Sequence, residues 1–142
     1  MRKPYQYWMV LMLALGAAPL QAAPPQAPAA AAQIEAATAR GERPDAAATK
    51  TLADGGAVLV DVRSEDEWNA GHARGAVFLP WREVPDQAAS KLPGKDQPIV
   101  TYCAAGVRAA RAADSLRALG YTHVTAMTGG YDDLKRAGYP TE

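Results

Sequence analysis

The sequence predicts an α/β domain whose central, mainly parallel sheet is flanked by helices. Residues 57–62 form a continuous apolar run of strand length, and such runs belong to strands that are covered on both faces. Strand-like runs alternate with segments of helical periodicity along the chain, which is typical of a parallel sheet with helical crossovers. The 142 residues are enough for one domain of this kind and not for two.

The N-terminal residues 1–22 are typical of a secretory signal peptide. Arg2 and Lys3 precede a short apolar run over residues 9–18, and Ala22 is a small residue at an acceptable cleavage position. The run is shorter than the roughly 20 residues that span a bilayer, although an uncleaved anchor is the alternative interpretation. We therefore expect an exported, periplasmic protein that has no membrane association after cleavage.

The segment that follows, residues 23–33, consists mainly of Ala, Pro and Gln and offers little to bury. This composition predicts a disordered linker, so we place the folded domain at residues 34–142. A short helix over residues 33–40 is interrupted by Gly41 and Pro44.

The remaining elements alternate from residue 45 onward. Ser64 and Glu67 have the spacing of a capping box, and Gly120 stands where the C-terminal cap of a helix belongs. We predict helices over residues 45–53, 64–70, 81–91, 107–119 and 131–137, and strands over residues 57–62, 76–79, 99–102 and 121–126.

The only cysteine, Cys103, lies between the strand at 99–102 and the helix that begins at 107. Backbone N–H groups and the dipole at a helix N-terminus favour an anion there, and the thiolate is the nucleophilic form of cysteine. Arg108 adds a positive charge near this loop. The alternative interpretation is a packing residue, because cysteine is among the most buried residue types.

The loop sequence C-x-x-G-x-R at residues 103–108 resembles the active-site loop of the rhodanese (sulfurtransferase) family. Other segments match the family in order, namely Asp-Val-Arg at 61–63, the stretch 67–76, and the closing glycines and Gly-Tyr-Pro at 129–130 and 138–140. The resemblance covers most of the domain. With the signal peptide and the small size, the chain is most similar to the periplasmic phage-shock rhodaneses.

The resemblance implies a mechanism without a cofactor. Cys103 takes a sulfane sulfur from thiosulfate, a persulfide or a polysulfide, and then passes it to a thiol or cyanide acceptor, which includes a possible protein acceptor. Asp61 and Arg63 are expected to support the loop as an ion pair. Gly106 is expected to adopt a positive φ. The expected sulfur cradle consists of the backbone amides of Ala104, Ala105, Gly106, Val107 and Arg108.

Two alternatives to this activity stay open. Ala104 and Ala105 are neutral where rhodaneses often carry Arg or Lys after the cysteine, which makes a low-activity sulfur-binding or partner-docking module the second interpretation. Related cysteine phosphatases have a loop longer by one residue. The shorter loop here suits a single sulfur atom better than phosphate or arsenate.

Composition argues against other classes of function. The chain has 15 basic and 15 acidic side chains, so no charge excess indicates nucleic acid as a partner. A single cysteine excludes an internal disulfide and a cysteine-based zinc site. His72 and His123 are far apart in the sequence and lack the spacing of metal ligands, so we expect no metal site.

Overall fold

The computed structural model describes residues 27–142, so the predicted signal peptide lies outside the described residues. The helices are α1 (Ala27–Ala39), α2 (Ala46–Asp54), α3 (Glu65–Asn69), α4 (Val84–Lys91), α5 (Val107–Ala118) and α6 (Tyr131–Arg136). The strands are β1 (Val58–Asp61), β2 (Val77–Phe78), β3 (Ile99–Tyr102) and β4 (Val124–Ala126). A short 3-10 turn, Trp81–Glu83, precedes α4.

The four strands form one parallel sheet in the order β2-β1-β3-β4. The two central strands, β1 and β3, pair over their full lengths, with Asp61 opposite Tyr102 at their carboxyl ends. Because every pair is parallel, the carboxyl ends of all strands lie at the same edge of the sheet. The predicted fold class is confirmed.

Both faces of the sheet are covered by helices. Successive strand residues point to opposite faces, so Leu59 and Val60 belong to different hydrophobic clusters. The cluster that contains Leu59 includes Ile34 of α1 and residues of α2 and α6, whereas the cluster that contains Val60 includes residues of α4 and α5, among them Leu116. This double coverage explains why the central strands are apolar throughout.

The prediction of a disordered linker is wrong over residues 27–33, because these residues belong to helix α1, which packs on the core of the domain. The rest of the predicted linker, residues 23–26, lies outside the described residues. Alanine has the highest helix propensity, and a proline such as Pro28 is tolerated in the first turn. Ala30, Ala31 and Ile34 lie on one side of the helix and are buried in the core. The low hydrophobicity of the segment led to the wrong prediction, because most of the side chains that this helix buries are small.

The other predicted elements are present, although three of the four strands are shorter than predicted. The helix predicted over residues 81–91 consists of the 3-10 turn Trp81–Glu83 followed by α4. Strand β4 begins at Val124 because the preceding residues are bonded elsewhere. The Tyr121 N–H donates to the carbonyl of Leu116, and the Thr122 N–H donates to that of Lys95. Ser64 and Glu67 form the expected capping box at the start of α3. None of the helices formed by residues 27–142 has the length and apolarity that crossing a bilayer requires.

Candidate active site

The candidate site lies at the carboxyl edge of the sheet, where the two central strands end side by side. Asp61 ends β1, and Cys103 follows Tyr102 directly at the end of β3. Ligands of open parallel sheets bind beyond the carboxyl ends of the strands. The fold therefore brings the predicted nucleophile and the predicted supporting pair to the same edge.

The side chain of Cys103 is held by the loop that follows it. Cys103 is 1% exposed, and the N–H of Gly106 donates to its Sγ atom at 2.9 Å. Gly106 is the N-cap residue of α5 and has φ 96°, so the predicted positive φ is confirmed. Ala104, Ala105 and Val107 are exposed, so the outer side of the loop is small and apolar.

The first residues of the loop pack against the glycine pair that precedes α6. The N–H of Tyr131 donates to the carbonyl of Cys103 at 2.9 Å. A Cβ atom on Gly130 would overlap the carbonyl oxygen of Ala104, so only glycine fits at position 130. The absence of a side chain before the last helix thus leaves space for the loop that follows Cys103.

Arg108 lies near Cys103 but is paired with a carboxylate. Its two terminal nitrogens donate to the two carboxylate oxygens of Glu67, at 2.7 and 2.9 Å. The bidentate contact lowers the pKa of Glu67 to about 2 and raises that of Arg108 above its usual value. Glu67 was assigned only to a cap and to a family motif, so its role as the partner of Arg108 was missed.

The predicted supporting pair forms a buried network. Asp61 is fully buried and Arg63 is 5% exposed, with 2.7 Å between the Arg63 Nη2 atom and the Asp61 Oδ2 atom. The hydroxyl of Tyr102 donates to the same carboxylate oxygen at 2.7 Å. Burial raises the pKa of this hydroxyl well above its usual value, so it stays protonated and remains a donor. We expect this network to support the site rather than to react.

The same network fixes the segment that follows α3. The Arg63 Nη2 atom donates to the carbonyl of Gly71 at 2.7 Å, and the N–H of Ala73 donates to the Tyr102 hydroxyl at 3.0 Å. Residue 73 in turn bridges to Thr141 near the end of the chain. Asp61 and Arg63 therefore connect the ends of the central strands to the neighbouring backbone.

Arg43, between α1 and α2, contacts the loop although no sequence motif marks it. Its Nη2 atom donates to the carbonyls of Met127 at 2.8 Å and Gly106 at 3.1 Å. Its Nε atom donates to the carbonyl of Ala126 at 2.9 Å. Only the three-dimensional structure reveals this contact, because residues 43 and 106 are 63 positions apart.

The two histidines lie apart from each other and have local surroundings. The Nδ1 atom of His72 is 3.0 Å from the carbonyl oxygen of Trp68, and the two rings are stacked at 3.4 Å. His123 immediately precedes β4. Among residues 27–142, no group of three His, Cys, Asp or Glu side chains converges as metal ligands.

The arrangement places the Cys103 sulfur atom at the N-terminus of α5, where the N–H of Gly106 reaches it. The first N–H groups of α5 have no acceptor within the helix, and the Gly106 N–H already binds Sγ. Such donors stabilise negative charge on a sulfur atom in the way that an oxyanion hole stabilises oxygen.

Comparisons with known proteins agree with this geometry. A family model described as "Rhodanese-like domain" matches residues 45–137. The chain is 35% identical over 75 residues to "Thiosulfate sulfurtransferase PspE" of Escherichia coli, which covers 53% of this chain and 71% of that protein. It is 31% identical over 93 residues to "Thiosulfate sulfurtransferase 16, chloroplastic" of Arabidopsis thaliana, which covers 58% of this chain and 78% of that protein.

A solved structure shows the same fold. The solution structure of a rhodanese-like domain from Anabaena sp is 34% identical to this chain and superposes with a TM-score of 0.64. The superposition covers 70% of this chain and 77% of that one. The family match includes Glu67 and Cys103, but it begins after Arg43.

Proposed function

Because this chain belongs to the rhodanese-like domain family and is a sulfurtransferase-type enzyme, we propose that Cys103 carries the transferred sulfur as a persulfide. The observation that carries the proposal is the 2.9 Å contact between the Gly106 N–H and the Cys103 Sγ atom at the N-terminus of α5. A persulfide is an anion at neutral pH, and this position supplies donors for negative charge.

The proposed reaction has two displacement steps. In the first, the Cys103 thiolate attacks the sulfane sulfur of the donor, so a new S–S bond forms as the donor's own bond to that sulfur breaks. Sulfite leaves when thiosulfate is the donor, and a thiolate leaves when a persulfide is the donor. In the second, an acceptor thiolate or cyanide attacks the terminal sulfur and Cys103 leaves as a thiolate. No external oxidant or reductant is needed.

The backbone amides of residues 104–108 are the proposed cradle for the terminal sulfur. The side chains contribute little charge, because Ala104 and Ala105 are neutral and Arg108 is paired with Glu67. Thiosulfate releases the doubly charged sulfite ion, for which this loop offers no unpaired cationic side chain, whereas a persulfide or polysulfide releases a thiolate or a shorter sulfide chain. We therefore expect polysulfide to load Cys103 faster than thiosulfate.

Intact mass spectrometry tests the proposal on the full chain without reductant. We expect a gain of one sulfur atom after incubation with polysulfide and a slower gain with thiosulfate, both reversed by cyanide. Cys103→Ser is the matched control, because it removes the only thiol of the chain and changes one atom. A gain of sulfur in Cys103→Ser, or no gain in the folded wild type with either donor, would contradict the proposal.

A second candidate function is a sulfur-binding module that docks a partner and turns over slowly. The exposed apolar side of the loop favours it, since Val107 is 64% exposed beside Ala104 and Ala105. This candidate predicts that a loaded persulfide persists in the presence of small thiols. Rapid discharge to small thiols contradicts it.

We propose that the protein is exported and acts in the periplasm. The support is the signal-peptide pattern of residues 1–22. N-terminal sequencing of the protein recovered from a periplasmic fraction tests it, and we expect a mature chain that begins after Ala22. An intact N-terminus in the cytoplasmic fraction contradicts it.

A further inference from the structure

Arg43 contacts the sulfur-carrying loop from a segment that precedes the family-matched residues 45–137. This segment is fixed in place on both sides. Helix α1 is anchored in the core by Ile34, which is 2% exposed, and the carbonyl of Pro44 accepts the N–H of Thr128 at 2.8 Å. The guanidinium of Arg43 is therefore presented to the loop from a rigid support.

A single glycine separates this guanidinium from the reactive sulfur. Gly106 donates its N–H to the Cys103 Sγ atom at 2.9 Å and accepts from the Arg43 Nη2 atom at its carbonyl, at 3.1 Å. The peptide between Gly106 and Val107 is planar and trans, so the N–H of Val107 points away from Arg43. Holding this carbonyl thus fixes the peptide plane that carries the N–H of Val107 and restrains Gly106, the residue whose own N–H binds the sulfur atom.

We propose that Arg43 is a positioning residue for the loop that holds Cys103. It acts through Gly106 and does not touch the transferred sulfur. The inference rests on the proposed function, since it gives Arg43 a part in the sulfur chemistry of the same site. It goes beyond that function because the contribution comes from outside the residues that the family model matches.

An arginine side chain makes this contact more completely than a lysine side chain can. The guanidinium has donors in a fixed planar fork, and here it reaches the carbonyls of Ala126, Met127 and Gly106 together. It thereby ties the end of β4 to the start of α5. Lysine keeps the positive charge but has one nitrogen, so it reaches these three acceptors less completely.

The loop does not depend on Arg43 for its existence. The Gly106 carbonyl also accepts the N–H of Ala110 at 3.1 Å, which is the first hydrogen bond of α5. Removal of the Arg43 side chain therefore leaves the first hydrogen bond of α5 in place and removes the second donor to the Gly106 carbonyl. We expect a folded protein whose loop is less well positioned, which makes the inference testable by kinetics.

The test compares Arg43→Ala, Arg43→Lys and the control Arg40→Ala in the full chain. Arg40 is a nearby arginine whose partner is the exposed Glu42, at 2.9 Å. We expect Arg43→Ala to lower kcat for sulfur transfer about tenfold and to leave KM within about twofold, because small displacements at a reacting centre cost rate. Arg43→Lys should lie between Arg43→Ala and the wild type, and Arg40→Ala should match the wild type.

A second measurement is the pH dependence of Cys103 alkylation. It distinguishes a positioning role of Arg43 from an effect on stability, and it does not depend on the proposed function. The pH at which alkylation of Cys103 by iodoacetamide is half maximal should rise in Arg43→Ala and stay unchanged in Arg40→Ala. The other charged pairs at this edge of the sheet, Arg108 with Glu67 and Arg63 with Asp61, are the same in all variants. A protein whose Cys103 takes up no sulfur refutes the proposed function, whereas the alkylation profile still tests Arg43.

Three results would overturn the role of Arg43. The first is a kcat and an alkylation profile in Arg43→Ala equal to those of Arg40→Ala. The second is a loss that appears in KM alone, because this would place Arg43 in substrate binding. The third is an Arg43→Lys rate no higher than that of Arg43→Ala, because lysine still carries a donor for the Gly106 carbonyl.

Discussion

Arg108 shows how a charged residue near a reactive sulfur can have its charge largely compensated. Both of its terminal nitrogens bind Glu67, and each side chain is about a third exposed, at 30% and 33%. Bidentate pairs of this kind are strong and directional. The hydrogen bond to the Cys103 Sγ atom comes from the backbone N–H of Gly106, and the ion pair serves to hold the start of α5 against α3.

Replacing Glu67 with glutamine tests this pair. Glutamine keeps the capping geometry at Ser64 but loses the charge, so we expect Glu67→Gln to lower the free energy of unfolding at pH 7 by about 0.5–1 kcal/mol, the range of partly exposed ion pairs. Urea unfolding of the variant and the wild type measures the difference. Glu65→Gln, in the same first turn of α3, is the matched control.

The effect of this substitution should depend on pH in a defined direction. The folded-state pKa of Glu67 is about 2, below its ordinary value of 4.5, so the ion pair stabilises the folded state above pH 4.5. This contribution is lost as pH falls from about 4.5 towards 2. A difference between Glu67→Gln and the wild type that stays constant over this window would contradict the assignment.

At the scale of elements, helix α1 is the part of the fold that sequence patterns concealed. Strands β1 and β3 were predictable because their apolar residues agree with their burial on both faces. Helix α5 was predictable because apolar residues such as Ala113 and Leu116, both of them buried, recur at helical spacing. In α1 the buried positions are mostly alanine, and alanine gives no contrast between a buried and an exposed face.

The substitution Ile34→Ala tests whether α1 is an integral part of the domain. Ile34 is the largest buried side chain of α1 and is 2% exposed, so its truncation leaves a cavity. We expect the free energy of unfolding to fall by about 2–4 kcal/mol, measured by urea denaturation. Gln33→Ala changes an exposed neighbour on the same helix and should have an effect below about 0.5 kcal/mol. Equal effects would show that α1 contributes little to stability.

The candidate site combines contacts between residues that are close in the sequence with contacts between residues that are far apart. The first kind could be predicted and the second could not. Cys103 and Gly106 are three positions apart, and the pattern of strand, loop and helix was enough to predict their arrangement. Glu67 and Arg108 are 41 positions apart, and Arg43 and Gly106 are 63 apart. Contacts over such separations are set by how helices pack on the sheet, which single-sequence periodicity does not encode.

At the scale of the whole molecule, the Tyr102 hydroxyl connects separate parts of the fold. It donates to Asp61 on β1 and accepts the N–H of Ala73 in the segment after α3. The same segment pairs with the last residues of the chain, because His72 and Glu142 exchange two backbone hydrogen bonds. One buried oxygen thus links the sheet centre to the packing of the terminal segment.

The substitution Tyr102→Phe removes this oxygen and keeps the ring. The Asp61 carboxylate loses one of its donors and the Ala73 N–H loses its acceptor, so we expect a fall of about 1–3 kcal/mol in the free energy of unfolding. Thermal or urea unfolding measures it. Tyr121→Phe is the matched control, since the Tyr121 hydroxyl makes no hydrogen bond to another group within residues 27–142. An equal effect of both substitutions would refute the linking role.

The parallel sheet also suggests an order in which we expect this network to assemble during folding. Pairing of β1 with β3 joins residues 41 positions apart, such as Asp61 and Tyr102, and non-local pairing of this kind is slow. Arg63, in contrast, is only two positions from Asp61 and pairs with it without any strand contact. We therefore expect the Asp61 carboxylate to enter the core with Arg63 as its counterion, so that no unpaired charge is desolvated when the central strands come together.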